Sequence, residues 1–244
     1  MGVGSAIPSP RGRLTGEAHL VVQCAARCQH VTAAAVVQAS QSLVREGLTV
    51  GTSGNISVRE AGEEMVWITP SGVSPENLEA SGVVAVDLAS GEPRDGRPSS
   101  EVGFHLGIYR AREDIGAVVH THSPWATAVS CARLTIPPFH YMMVGTGDGT
   151  LECAPYHPPG SPQLAAATVV ALGQRSACLL ANHGAVTVGP NLDAAMGMAR
   201  EVEALAQQFA LSRLLGGAVN LESEEVVHLR EIFTAYRDGM NRDD

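Results

Sequence analysis

The chain has 244 residues, 45% hydrophobic and 17% charged, a globular composition long enough for one large core or two small ones. A formal net charge of −9 without a basic stripe argues against nucleic acid or an anionic membrane as partner, and leaves a small anionic substrate open. All 16 basic residues are arginine, which excludes a Schiff-base lysine, lysine-anchored pyridoxal phosphate and a P-loop whatever the fold.

The opening MGVGSAIPSPRGRLTGEA has no apolar core of a secretory signal, and no apolar run reaches the ~18 residues of a membrane span. Residues 1–16 read as a flexible tail, 17–244 as one domain, and the protein as cytoplasmic. Glu17 to Glu46 is an Ala/Val/Gln-rich stretch with helical spacing that stops at Gly47. Cys24 and Cys28 share a face of that helix and read as core packing, with metal binding as the rival. With Cys131, Cys153 and Cys178 they make five scattered cysteines, which suits reduced thiols.

A turn-rich loop, Gly51 to Asn55, leads to two alternating runs, Ile56–Arg59 and Met65–Thr69, around EAGEE, a hairpin signature. Val83–Leu88 reads as a third strand before the SGEPRDGRP turn region. Glu101–Arg112 reads as a helix with Ser99 or Ser100 as N-cap. Ala117–His122 follows as a strand, then Pro124–Arg133 as a helix with proline at its start. HYMMVG is read as another strand, 162–173 as a helix, and ACLLAN and GAVTVG as strands around Asn182–His183. Leu192–Leu215 and Glu222–Tyr236 close the chain as helices. Hairpin-joined strands mixed with helices predict an α+β, α/β/α layered fold, not a doubly wound parallel sheet.

Three features carry chemistry. In VVHTHSP, His120 and His122 sit at i and i+2, so a strand presents both imidazoles on one face, which is ligand geometry for a divalent metal. The rival reading is a polar strand end touching water. A third ligand would come from His183, His105, His140, His157 or Glu101. His183 lies between two apolar strands before Gly184; His19, His30, His105 and His228 read as structural or surface residues. Second, three small-residue turns recur, Thr52-Ser53-Gly54-Asn55, Thr69-Pro70-Ser71-Gly72 and Pro98-Ser99-Ser100. Their backbone N–H groups and hydroxyls can bind an anion without lysine. Third, Glu101 follows the serine pair, where it either complements the helix dipole or acts as a general base.

The ordered set GTSGNISVR, ITPSG, RPSSE, VVHTHSPWATAVS, IPPFHYM, CAPY and ANHG resembles the class II sugar-phosphate aldolases, over roughly residues 17–238. The wider superfamily includes L-ribulose-5-phosphate 4-epimerase and methylthioribulose-1-phosphate dehydratase. The resemblance implies a mostly antiparallel mixed sheet between helix layers. It implies zinc on His120, His122 and His183, with Glu101 as catalytic carboxylate and as a further ligand when substrate is absent. It implies that Thr52, Asn55, Ser71, Gly72, Ser99 and Ser100 hold the substrate phosphate. Tyr141 would reach the active site of a neighbouring subunit of a homotetramer, and Tyr236 would support it as a mobile C-terminal tyrosine.

The implied reaction is reversible cleavage of a ketose 1-phosphate, such as L-fuculose 1-phosphate or a related deoxy-ketose 1-phosphate, to dihydroxyacetone phosphate and an aldehyde. A metal Lewis acid would be the electron sink that a lysine iminium supplies elsewhere. Glu101 where epimerases carry aspartate, and Tyr141, favour aldolase over epimerase. Dehydratase and decarboxylase share the zinc histidines, and a non-catalytic scaffold of the adducin-head kind lacks them. One departure is visible: HPPGS after CAPY puts Pro158-Pro159 where the pattern has an aromatic, so the aldehyde pocket is expected to differ.

Overall fold

The computed structural model describes Met1, residues 33–60 and residues 62–240, with side chains to residue 236. The 1–16 tail, the start of the first helix, the Cys24/Cys28 face, His19 and His30 lie outside the described residues. The described part of helix α1 covers 33–45. It ends at Gly47 (φ 69°), where Leu48 N–H reaches Leu43 C=O at 2.8 Å and Gly47 N–H reaches Val44 C=O at 3.1 Å, a Schellman turn.

Seven strands form one sheet: β1 (Asn55–Val58), β2 (Met65–Ile68), β3 (Val84–Asp87), β4 (Ala117–Thr121), β5 (Cys153–Ala154), β6 (Ala177–Leu180) and β7 (Gly184–Gly189). The order across the sheet is β3-β2-β1-β4-β7-β6-β5, and every pairing is antiparallel except β5 with β6. The expected mostly antiparallel mixed sheet is therefore what the chain forms.

Alternation along the strands separates two cores. Val118, Val86, Val186 and Val188 point to a layer made by α2 (Val102–Ala111) and α4 (Pro162–Leu172), with Phe104, Tyr109 and Leu164. Ile56, Val58, Ala117 and Val119 point the other way, to α1 and to α5 (Leu192–Leu214). A third cluster packs α3 (Pro124–Cys131) and the later turns of α5 on β6 and β7 through Val129, Leu179 and Phe209. Helix α6 (Ser223–Met240) closes the chain. Among the described residues, no helix is long and apolar enough to cross a membrane.

Three expectations are corrected. HYMMVG is not a strand but a 3-10 helix, Tyr141–Thr146. Met143, Val144 and Thr146 are buried while Tyr141 is exposed, a spacing near three and not two. The bonds are local, Met143 N–H to His140 C=O and Gly147 N–H to Val144 C=O. Strand β5, inside CAPY, was not expected, because two residues offer no alternation to read. Finally, neither Ser99 nor Ser100 is the N-cap of α2. Glu101 takes that position without a side-chain cap bond, and Ser99 Oγ instead accepts from Glu101 N–H at 3.3 Å.

Candidate active site

Strand β4 delivers the first ligand candidates. His120 is its fourth residue, paired across the ladder with Asn55 on one side and Val186 on the other. His122 stands just past the strand end, yet its Nε2 lies 2.9 Å from that of His120, so the expected same-face geometry holds. His120 Nδ1 is 2.9 Å from the Ala185 carbonyl. A proton on Nδ1 for that bond leaves the Nε2 lone pair free, the tautomer a metal ligand needs.

His183 comes from the tight turn between β6 and β7. Asn182 adopts φ 53° there, a left-handed conformation that asparagine tolerates, and its Oδ1 accepts from Arg133 Nε at 2.8 Å. Gly184 has to be glycine, because a Cβ would overlap the Thr121 carbonyl oxygen and lie 3.2 Å from Cδ2 of His122. Past His122, α3 begins, and Glu203 of α5 takes the N–H groups of Trp125 and Ala126 at 2.9 Å each. That carboxylate does the capping work, and the Ser123 hydroxyl at the N-cap position has no hydrogen-bond partner.

Glu101 meets this cluster from the start of α2. Its Oε2 is 3.2 Å from His120 Nε2 and its Oε1 is 3.3 Å from His183 Nε2. Ligand atoms of Glu101, His120, His122 and His183 all lie within 4.8 Å of one another, so these four could hold a metal ion. Donors around a tetrahedral ion with ~2.0–2.1 Å bonds stand roughly 3.3 Å apart, close to the two distances from Glu101 to His120 and His183. Glu101 Oε1 is buried with no hydrogen-bond partner, as fits an oxygen whose partner is a cation.

Burial alone would raise the Glu101 carboxyl, but the neighbouring imidazoles of His120 and His183 and the hydrogen bond from Asn55 outweigh it and bring the pKa down to about 2. Burial, then repulsion within the cluster, lowers His122 and His183 to about 4. Near neutral pH the Glu101 carboxylate is ionised and His122 and His183 are unprotonated, donors that suit a borderline divalent ion.

The three small-residue turns meet beside these ligands. Thr52, Asn55, Ser71, Gly72, Ser99 and Ser100 all line one cavity of about 560 Å³, whose wall also includes Glu101, His122 and His183. Ser99 N–H to Thr69 C=O and Ser71 N–H to Arg97 C=O, both 3.0 Å, tie the second turn to the third. Gly72 at φ 74° gives the second turn its hand. Tyr156 and Pro159 line the cavity as well, so the Pro158-Pro159 departure does reach it. Gly160 lets that loop close in, since a Cβ there would sit 2.7 Å from the Ser100 carbonyl oxygen.

Not every expected residue is gathered here. Tyr141 is 52% exposed and packs near Phe233 of α6, with ring centroids 6.3 Å apart. Tyr236 is 70% exposed on α6, and neither tyrosine lines this cavity. His140 and His157, weighed as ligands, are not in the cluster. His105, read as structural or surface, is fully buried and bonds Asn55 and Ser57. Its signal was present: polar Asn55 and Ser57 alternate with apolar Ile56 and Val58, placing them on the face that carries His120.

The sequence matches the family model for the class II aldolase and adducin N-terminal domain over residues 34–210. It is 39% identical over 205 residues to a 5-methylthioribulose-1-phosphate/5-deoxyribulose-1-phosphate aldolase of Rhodospirillum rubrum, covering 84% of this chain and 91% of that protein. It is 37% identical to L-fuculose phosphate aldolase of Escherichia coli, covering 82% and 93%. Among solved structures, an L-fuculose 1-phosphate aldolase superposes with TM-score 0.80 at 35% identity, over 83% of this chain and 96% of that one. YgbL of Escherichia coli, titled a putative aldolase/epimerase/decarboxylase, gives 0.75 at 30% identity, over 83% and 99%. A family match over most of the chain, with named aldehyde-lyases among its relatives and a candidate metal cluster in place, shows that this chain belongs to the class II aldolase family.

Proposed function

We propose that this protein is a zinc-dependent aldolase, a cytoplasmic homotetramer, that reversibly cleaves a deoxy-ketose 1-phosphate to dihydroxyacetone phosphate and an aldehyde. One observation carries the reading: turns rich in hydroxyl and N–H groups share one cavity with His122, His183 and Glu101, in a chain without lysine. A zinc ion held by His120, His122 and His183 would supply Lewis acidity to the ketose carbonyl and adjacent hydroxyl oxygens, making the carbonyl an electron sink.

The residues divide the remaining work. Thr52, Asn55, Ser71, Gly72, Ser99 and Ser100 anchor the phosphate, which fixes the sugar chain relative to Glu101. Loss of the proton on the C4 hydroxyl lets the C3–C4 bond break, its electron pair moving toward the carbonyl. Glu101, once it has taken up a proton equivalent to the one the C4 hydroxyl gives up, delivers it to C3, and in the reverse direction removes it. Tyr141, contributed by a neighbouring subunit, handles the proton on the aldehyde-side oxygen; its exposure suits a residue that finishes another chain's site. Tyr236 supports it from α6. Atoms balance without any co-reactant.

For the aldehyde, Pro159 and Tyr156 in the wall favour a compact, apolar tail, as in 5-deoxyribulose or methylthioribulose 1-phosphate. L-fuculose 1-phosphate is the second reading, supported by the relatives named for it. The test is a panel of ketose 1-phosphates with coupled detection of dihydroxyacetone phosphate. Release from a deoxy-ketose 1-phosphate is expected. No release from any of them, with turnover of L-ribulose 5-phosphate, would replace aldolase by epimerase.

A further inference from the structure

Behind Glu101 a file of polar side chains runs into an otherwise apolar core. Asn55 Nδ2 is 2.9 Å from Glu101 Oε2, and Asn55 Oδ1 is 2.6 Å from His105 Nε2. His105 Nδ1 is 2.7 Å from Ser57 Oγ, which is 3.0 Å from the Tyr109 hydroxyl. Asn55 is 4% exposed and the other three are at most 1% exposed, beside Phe104, Leu106, Ile108 and Val118.

The direction of each bond follows from its neighbour. An ionised carboxylate only accepts, so Asn55 must turn its amide nitrogen to Glu101 and its oxygen inward. His105 Nε2 must then carry the proton. Complete burial holds His105 neutral, so Nδ1 is an acceptor and takes the Ser57 O–H. Ser57 in turn accepts from Tyr109. Each link has one orientation.

We propose that His105, locked as its Nε2–H tautomer by Ser57, is a positioning residue that fixes the Asn55 amide and through it the Glu101 carboxylate. This inference rests on the aldolase reading for its catalytic consequence only. A chain of buried polar groups is a poor route to stability, since apolar side chains of similar shape would serve as well or better. What it provides is orientation. Glu101 is gripped through Oε2, and Oε1, without a hydrogen-bond partner, is left for the ion or the substrate. Asn55 is also the cross-strand partner of His120, so one strand pair sets both the carboxylate and a ligand. The resemblance assigned Asn55 to the phosphate alone; here its first N–H and its oxygen are committed to Glu101 and His105, and one N–H remains for the cavity.

The test uses the full chain, three variants and three readouts. Long-range 1H–15N NMR of the metal-free wild type reads the tautomer; Nε2–H at His105 is expected, and Nδ1–H overturns the proposal. Zinc titration and steady-state kinetics follow on His105→Leu and His105→Gln, the latter keeping a donor for Asn55 and an acceptor for Ser57. His105→Leu is expected to lose about 10–100-fold in zinc affinity and in kcat with little change in KM, and His105→Gln to recover most of both. A folded His105→Leu protein that binds zinc and turns over like the wild type sinks the idea, as does His105→Gln failing equally. Should His105→Leu not fold, Ser57→Ala decides: a mixed tautomer with partial loss of zinc affinity supports the proposal, and neither change opposes it. If the wild type cleaves no ketose 1-phosphate, the aldolase reading falls, while tautomer and zinc affinity still decide this one.

Discussion

Replacing Gly184 with alanine puts one methyl where the β4–β7 ladder has no room. The new Cβ would overlap the Thr121 carbonyl oxygen and crowd Cδ2 of His122 at 3.2 Å. Restoring ordinary contact requires the strands to part by roughly 1 Å at that point. Metal sites hold their ligand distances to about 0.2 Å, so the displacement exceeds the tolerance severalfold just where His122 and His183 approach. We expect zinc affinity to fall by at least about 10–100-fold, with about 1–3 kcal/mol lost in stability. Gly116 supplies the control. A Cβ there overlaps the Pro190 carbonyl oxygen in the same way, but at the opposite end of β4, roughly 20 Å of strand from His122. Gly116→Ala should lose comparable stability and keep its zinc affinity. Gly197→Ala, inside α5 with nothing within 4 Å, should gain about 0.5–1 kcal/mol. Competition titration with zinc, beside thermal melts, measures all three. Equal loss of zinc affinity in Gly116→Ala and Gly184→Ala, or unchanged affinity in Gly184→Ala, would mean that the Gly184 contact does not place the ligands.

Glu101→Gln keeps the shape and removes the base, so kcat for ketose 1-phosphate cleavage should fall about 10²–10⁴-fold, read by the coupled dihydroxyacetone phosphate assay. A Gln variant with wild-type kcat would exclude Glu101 from proton transfer. Glu203→Ala uncaps α3 by removing the acceptor of Trp125 and Ala126 N–H, and should cost about 0.5–2 kcal/mol in a denaturant melt, less for Glu203→Gln. His105 has its pKa lowered by burial from 6.5 to about 3 in the folded protein. Below pH 6.5 the unfolded chain therefore takes up a proton that the folded chain refuses. Stability from this group is intact above pH 6.5 and is lost as pH falls toward 3, by up to about 1.4 kcal/mol per pH unit. Denaturant melts of metal-free protein across that range should show a shallower acid slope in His105→Gln than in the wild type.

The paired histidines were legible because a strand repeats every two residues, and a ladder keeps the second imidazole close to the first even one step past the strand end. The three small-residue turns were legible because Ser, Thr, Gly and Pro announce turns; that they converge follows from β1 lying beside β2 and from the backbone bonds that tie the third turn to the second. What failed to show was structure without a period. Strand β5 is too short to alternate, and the 3-10 helix at Tyr141–Thr146 buries Met143, Val144 and Thr146 at a spacing that a strand reading does not fit. His105 was read as structural or surface, and its partners stayed hidden for another reason. A histidine on an apolar helix face looks like filler until the strand beneath it proves to carry Asn55 and Ser57 on the same side.

On the proposed reading, His120, His122 and His183 hold a divalent metal beside Glu101. Elemental analysis of the purified full chain, and of the His120→Ala/His122→Ala/His183→Ala triple variant, tests it most directly. We predict one zinc per chain in the wild type and none in a folded triple variant; a wild type that takes up no metal, or a triple variant that keeps it, would rule these histidines out as the metal site.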